Sequence, residues 1–203
     1  MNKKIGILGG SFDPIHIGHI IMAQYAYESL KLDNVYLLPN SNPPHKNELK
    51  LSDASKRLKM CQLVSKKNKF IDTLDYEVNK KGICYTIDTI NYFKKNIFKN
   101  DEIYFIIGGD SLKNIETWKS YKNLLKKVTF TCVKRKGYLD NDFDNKVKKL
   151  ENDLNCNIEV IEMPYFEISS TIIRKRVKNN LSIKYMVDSN VLKYIEKNNL
   201  YKK

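Results

Sequence analysis

No run of apolar residues in this chain of 203 approaches the ~18 that a helix needs to cross a bilayer. The basic start at Met1–Lys4 is followed by only Ile5-Gly6-Ile7-Leu8 before Gly9-Gly10. That run is too short for the apolar core of a secretory signal, so a cytosolic location is expected. The four cysteines, Cys61, Cys84, Cys132 and Cys156, include no C-x-x-C pair. Free thiols are therefore expected rather than a disulfide framework. The three histidines are His16, His19 and His45, and no cysteine or glutamate stands where it would complete a zinc set with them. No G-x-G-x-x-G dinucleotide fingerprint occurs, and no G-x-x-x-x-G-K-[ST] loop, which excludes an ordinary P-loop enzyme. There is no internal repeat and no low-complexity linker.

Acidic residues are also in deficit, 23 against 36 lysines and arginines, for a formal charge of +13. Such a balance raises the question of nucleic-acid binding. Only four of the basic residues are arginine: Arg57, Arg135, Arg174 and Arg176. Base readout and bidentate phosphate clamps favour arginine. The lysines are spread from Lys3 to Lys203, so a lysine-rich solvated surface is the expectation, with no nucleic-acid or membrane partner. Such a surface still draws small anionic substrates.

An apolar fraction of 42% and an aromatic fraction of 11% support a sizeable core and exclude wholesale disorder. The length suits one α/β domain spanning 1–203. Short apolar strands are expected at 5–8, 35–38, 70–78, 103–107, 128–133 and 158–161. Helices are expected at 18–30, 52–64 (capped by Ser52 or Asp53), 85–98, 118–126, within 134–157, at 171–177 and at 190–198. Strands alternate with helices almost throughout. That predicts a Rossmann-like, doubly wound α/β fold: a mostly parallel sheet, helices on both faces and a small C-terminal helical portion. Ligands of such sheets bind beyond the carboxyl ends of the strands, where the strand order switches.

The segment Gly9-Gly10-Ser11-Phe12-Asp13-Pro14-Ile15-His16-Ile17-Gly18-His19 carries the most chemistry. Two glycines after a buried strand allow backbone amides to approach an anion closely. His16 and His19 stand three apart at a helix start, where both imidazoles can face one direction beside the positive helix end. A phosphate site follows, although two such histidines could also ligate a metal, and the glycines could simply close a turn.

This segment resembles the H-x-G-H signature of the nucleotidyltransferase superfamily, and the whole chain is similar to the bacterial nicotinate-nucleotide adenylyltransferases. A second motif follows at Ile168-Ser169-Ser170-Thr171-Ile172-Ile173-Arg174. Pro43-Pro44-His45-Lys46, Gly82 to Thr86, Gly108-Gly109-Asp110, Trp118 and Val133-Lys134-Arg135 fall in the family's order, from Lys4 to about Tyr201.

The resemblance implies that ATP and nicotinate mononucleotide are joined to give deamido-NAD and pyrophosphate. The nucleophile is a phosphate whose second pKa is about 6, so no protein base need deprotonate it. The implied task is alignment and charge stabilisation. His16 and His19 would donate hydrogen bonds to the α-phosphate, and Arg174 would pair with the β- or γ-phosphate. Gly9, Gly10, Ser11, Phe12, Gly18, Gly108, Ser170 and Thr171 would surround ATP, and Asp110 would meet a ribose or a magnesium ion.

Magnesium is expected with ATP as its complex. Lys46 would add positive charge near the same phosphates, and His45 would line the site. Trp118 would stack on the pyridine, amides near Tyr85 and Thr86 would hold its carboxylate, and Arg135 would lie near the adenine or its ribose. A homo-oligomer is possible. The chain departs from the family at Cys84 (often serine), Gly109 (often alanine) and Lys136 (often proline). Transfer to phosphopantetheine, and a nucleic-acid-binding module that has kept a nucleotide fold, are the competing readings.

Overall fold

The computed structural model describes residues 2–41, 51–80, 82–135, 141–164 and 167–202. Six strands form one sheet: β1 (Lys4–Gly10), β2 (Asn34–Pro39), β3 (Ile71–Thr73), β4 (Glu102–Gly108), β5 (Thr129–Arg135) and β6 (Ile158–Met163). Their order is β3-β2-β1-β4-β5-β6, and every pairing is parallel. The chain winds outward from β1 in one direction and, after crossing to β4, in the other. The switch in strand order therefore falls between β1 and β4. Their carboxyl ends carry the two glycine pairs, Gly9-Gly10 and Gly108-Gly109.

Parallel strands covered on both faces need no polar alternation, and β1 is buried continuously from Ile5 to Leu8. Successive side chains still point to opposite faces. Ile5 and Ile7 join Phe105 and Ile107 in one core, whereas Leu8 joins Ile106 in the other. The first core is closed by α4 (Thr86–Asn96), α6 (Tyr121–Lys127) and α7 (Asn141–Leu154), through residues such as Phe93, Leu124 and Val147. The second is closed by α1 (Ile17–Leu30), α2 (Ala54–Ser65), α8 (Ser170–Lys178) and α9 (Ser189–Lys197), through Ala23, Met60, Ile173 and Val191. Asp53 is the cap of α2 and accepts the Ser55 amide at 2.8 Å.

Two expected elements change. The strand expected over 70–78 ends at Thr73, and Tyr76–Asn79 forms a single helical turn, α3. β3 lies at the sheet edge with only β2 beside it, and its last sheet bond is the Leu74 amide donating to the Leu37 carbonyl at 2.9 Å. Beyond that point packing on α4 decides the conformation. Tyr76 stacks on Tyr92 with centroids 4.3 Å apart, and Glu77 is buried against Thr89. The helix expected at Trp118 starts instead at Tyr121. It follows α5 (Gly109–Lys113) and a 3-10 turn at Ile115–Thr117, neither of which the apolar spacing had indicated. Cys61, Cys84, Cys132 and Cys156 are free thiols, as expected.

Candidate active site

The loop after β1 is held in an unfavourable conformation. Phe12 is buried and has φ 48°, a left-handed backbone that costs a bulky residue about 1–3 kcal/mol. Its ring meets His19 edge-on, with centroids 5.0 Å apart. A side-chain carbon on Gly10 would come within 3.1 Å of that ring, so Gly10 gives Phe12 its place.

His16 caps α1 from an extended backbone, φ −140°, ψ 171°. Its amide donates to Nδ1 of His19 at 3.3 Å. With Nδ1 accepting, the proton of a neutral His19 resides on Nε2, which makes that nitrogen a donor. The two imidazoles stack, with centroids 3.7 Å apart and planes 27° apart. A side chain on Gly18 would approach Nδ1 of His16 to 3.1 Å. The glycine inside the H-x-G-H motif thus leaves room for the His16 ring over the first helical turn.

The second motif docks directly on this loop. Ser169 caps α8 and accepts the Ile172 amide at 3.2 Å. Ser170 Oγ donates to the Pro14 carbonyl at 2.9 Å. Arg174 Nη1 donates to the Asp13 carbonyl at 2.7 Å, and its Nη2 donates to Thr171 Oγ1 at 3.2 Å. A guanidinium has five N–H groups in a rigid fork; one ties α8 to the first motif and one goes to Thr171 of the same helix, so three remain to meet an anion. His16, His19, Thr171 and Arg174 are thereby gathered at one junction, some 160 residues apart in sequence.

A cavity of about 480 Å³ opens beside this junction, at the carboxyl ends of β1 and β4. Gly9, Gly10, Ser11, Asp110, Tyr85, Thr86 and Trp118 line it. His16, His19, Gly18, Ser170, Thr171 and Arg174 do not line it but belong to the junction, and Gly108, at the end of β4, is not among its lining residues either. Tyr85 caps α4, whose Asp88 and Thr89 amides turn back to its carbonyl at 3.0 and 3.2 Å. The amides of Thr86 and Ile87 precede them at the positive end of the helix. Trp118 is half-buried, lines the cavity and stands nearly perpendicular to Phe105, with ring centroids 6.3 Å apart. Gly108 caps α5, and Asp110 lies in its first turn. Arg135 ends β5, but its side chain, together with His45 and Lys46, lies outside the described residues.

Two further residues here, Lys119 and Glu77, are not among those expected from the sequence. Lys119 lines the cavity with Nζ 4.4 Å above the Tyr85 ring, and it pairs with Asp88 at 3.1 Å. Its position directly after Trp118 was the available signal. Glu77 also lines the cavity and accepts the Thr89 hydroxyl at 2.7 Å. Burial lifts its carboxyl above the ordinary 4.5, against the opposing pull of the Thr89 bond. The folded chain therefore holds this proton more tightly than the unfolded chain. The carboxyl's favourable contribution is present below about pH 4.5 and is lost as pH rises through the folded value. Glu77→Gln keeps an acceptor for Thr89 and is expected to melt above the parent protein at neutral pH, with the gap closing near about pH 4. A melting difference that does not vary with pH would contradict this.

Comparison with known proteins fits this geometry. Residues 7–176 match the cytidylyltransferase-like family. A relative from Clostridium perfringens strain 13, named "Probable nicotinate-nucleotide adenylyltransferase", is 38% identical over 201 residues, 99% of each chain. One of the same name from Thermoanaerobacter sp. strain X514 is 40% identical over 200 residues, covering 98% of this chain and 95% of the relative. In fold, the chain resembles the Plasmodium falciparum nicotinic acid mononucleotide adenylyltransferase solved with NaAD. The TM-score is 0.79 at 21% identity, over 99% and 98% of the two chains. The paired imidazoles, the docked Ser-Ser-Thr-x-x-Arg segment and full-length identity of this order together make the chain a member of the nicotinate-nucleotide adenylyltransferases, within the cytidylyltransferase-like family.

Proposed function

We propose that this chain transfers the adenylyl group of ATP to the 5′-phosphate of nicotinate mononucleotide, giving deamido-NAD and pyrophosphate. The observation that carries the reading is the junction of the two motifs. Arg174 and Ser170 bond to the loop that presents the imidazole pair, and a cavity with a tryptophan and a helix amino terminus adjoins it. The acceptor phosphate attacks the α-phosphorus in line, and the bond to the β-phosphate oxygen breaks. Nε2 of His19 and the His16 ring donate to α-phosphate oxygens as charge builds there. Arg174, with the helix start at Ser170 and Thr171, takes the charge of departing pyrophosphate.

The pyridine ring lies against Trp118, and its carboxylate meets the amides of Thr86 and Ile87 with the Lys119 ammonium nearby. Magnesium enters with ATP as part of the substrate. Asp110 offers it, or a ribose hydroxyl, a carboxylate. Among the described residues no helix is long and apolar enough to cross a membrane, and no trio of acidic, histidine or cysteine side chains forms a metal cage.

Purified protein with ATP, magnesium and nicotinate mononucleotide is expected to release pyrophosphate. Nicotinamide mononucleotide should react at least ten times more slowly, the effect of about 1.4 kcal/mol of lost charge-assisted bonding. Equal rates with acid and amide would remove the carboxylate assignment. Turnover with phosphopantetheine alone would replace the acceptor.

A further inference from the structure

We propose that Tyr201 and Arg57, which touch no substrate in the mechanism above, are positioning residues that set the phosphate-binding junction through Asp13. The proposal rests on that mechanism only for the identity of the junction.

Asp13 is 2% exposed, and each of its oxygens is engaged by a different part of the chain. Oδ1 accepts the Tyr201 hydroxyl at 2.8 Å, across 188 residues. Oδ2 accepts the Ser52 amide at 3.2 Å. Its carbonyl accepts Arg174 at 2.7 Å. The residue before it is Phe12, in its left-handed backbone with its ring against His19; the residue after it is Pro14, whose carbonyl receives Ser170. A rotation of Asp13 would therefore move both halves of the phosphate site together.

Arg57 fixes the same loop from beneath. It is 1% exposed, and its guanidinium donates to four carbonyls: Ser11 at 2.7 Å, Asn40 at 2.6 Å, Ser41 at 3.1 Å and Ser52 at 2.9 Å. The Ser11 carbonyl immediately precedes the strained Phe12. A planar fork reaches carbonyls on several sides at once, which a lysine ammonium cannot reproduce. Burial alone would make this charge costly, and the Asp13 carboxylate offsets it.

Tyr201 is brought to Asp13 by the way α9 ends. The Leu200 amide donates to the Ile195 carbonyl at 3.0 Å, and Asn199 and Tyr201 both take left-handed backbones, φ 47° and 66°. The tyrosine hydroxyl then points back under the first motif.

The test uses the full chain with Tyr201→Phe and Arg57→Lys. Each is measured for kcat and KM, for thermal unfolding, and for nitrogen-15 imidazole spectra of the ligand-free protein. Tyr201→Phe keeps the ring and removes one hydroxyl. It is expected to fold, to lose about tenfold in kcat with KM values within about twofold, and to shift the His19 ring-nitrogen signals, because small misplacements of aligned groups slow chemistry more than binding. Arg57→Lys is expected to shift the same signals further. A normal kcat, or an imidazole spectrum identical to the parent's, in Tyr201→Phe overturns the proposal whatever the melting temperature does, and that variant decides alone if Arg57→Lys does not fold. The spectra need no substrate, so they judge the positioning role even if the acceptor proves to be another phosphate.

Discussion

His19→Ala is expected to lower kcat by about 10²–10³ while the protein still folds, because one preorganised donor to a developing phosphate charge is worth that much. The half-buried ring stacks on His16 and touches Phe12. Alanine therefore removes little core, and circular dichroism and melting should stay close to the parent's. His19→Asn separates donor from ring. An amide nitrogen can still donate, so partial activity in Asn with almost none in Ala would tie the effect to the hydrogen bond. KM for ATP should change far less than kcat, since the bond strengthens as charge moves onto the α-phosphate. Unaltered turnover in His19→Ala would remove this nitrogen from the reaction.

Arg174→Lys carries the second large effect, a loss of about 10²-fold in kcat although the charge is kept. The guanidinium ties Thr171 to the Asp13 carbonyl, and the proposed mechanism gives its remaining N–H groups to the leaving phosphates. An ammonium offers three donors from one point and cannot span both acceptors and a ligand. The loss should appear with pyrophosphate as substrate in the reverse direction too, because the same contact holds it there. If Arg174→Lys kept full rate both ways, the arginine would be a structural tie only, and the pyrophosphate site would lie elsewhere.

These effects were partly readable from the sequence. The parallel sheet followed from alternation of short apolar strands with helices, and the glycines after the first strand marked the loop at the switch in strand order. Local pattern failed where packing outweighed it. Tyr76 and Val78 continue an alternation that suits a strand, yet the edge position of β3 and the stack on Tyr92 turn the chain into α3. Arg57 was visible only as one of four arginines. Nothing in its helix spacing says that it faces inward, since its partners are carbonyls of loops that the fold brings together. Tyr201 left no local trace, because the Asp13 carboxylate that accepts its hydroxyl is 188 positions away. Contacts that close over such distances are set by topology, and topology is what a linear pattern expresses least.

The strand order has a temporal consequence. The loop's residues Pro14 and Asp13 are translated well ahead of their holders, 156 residues before Ser170, 161 before Arg174 and 188 before Tyr201. A growing polypeptide thus makes the glycine loop long before the segments that tie it down, and these hydrogen bonds wait for α8 and the turn after α9 to emerge.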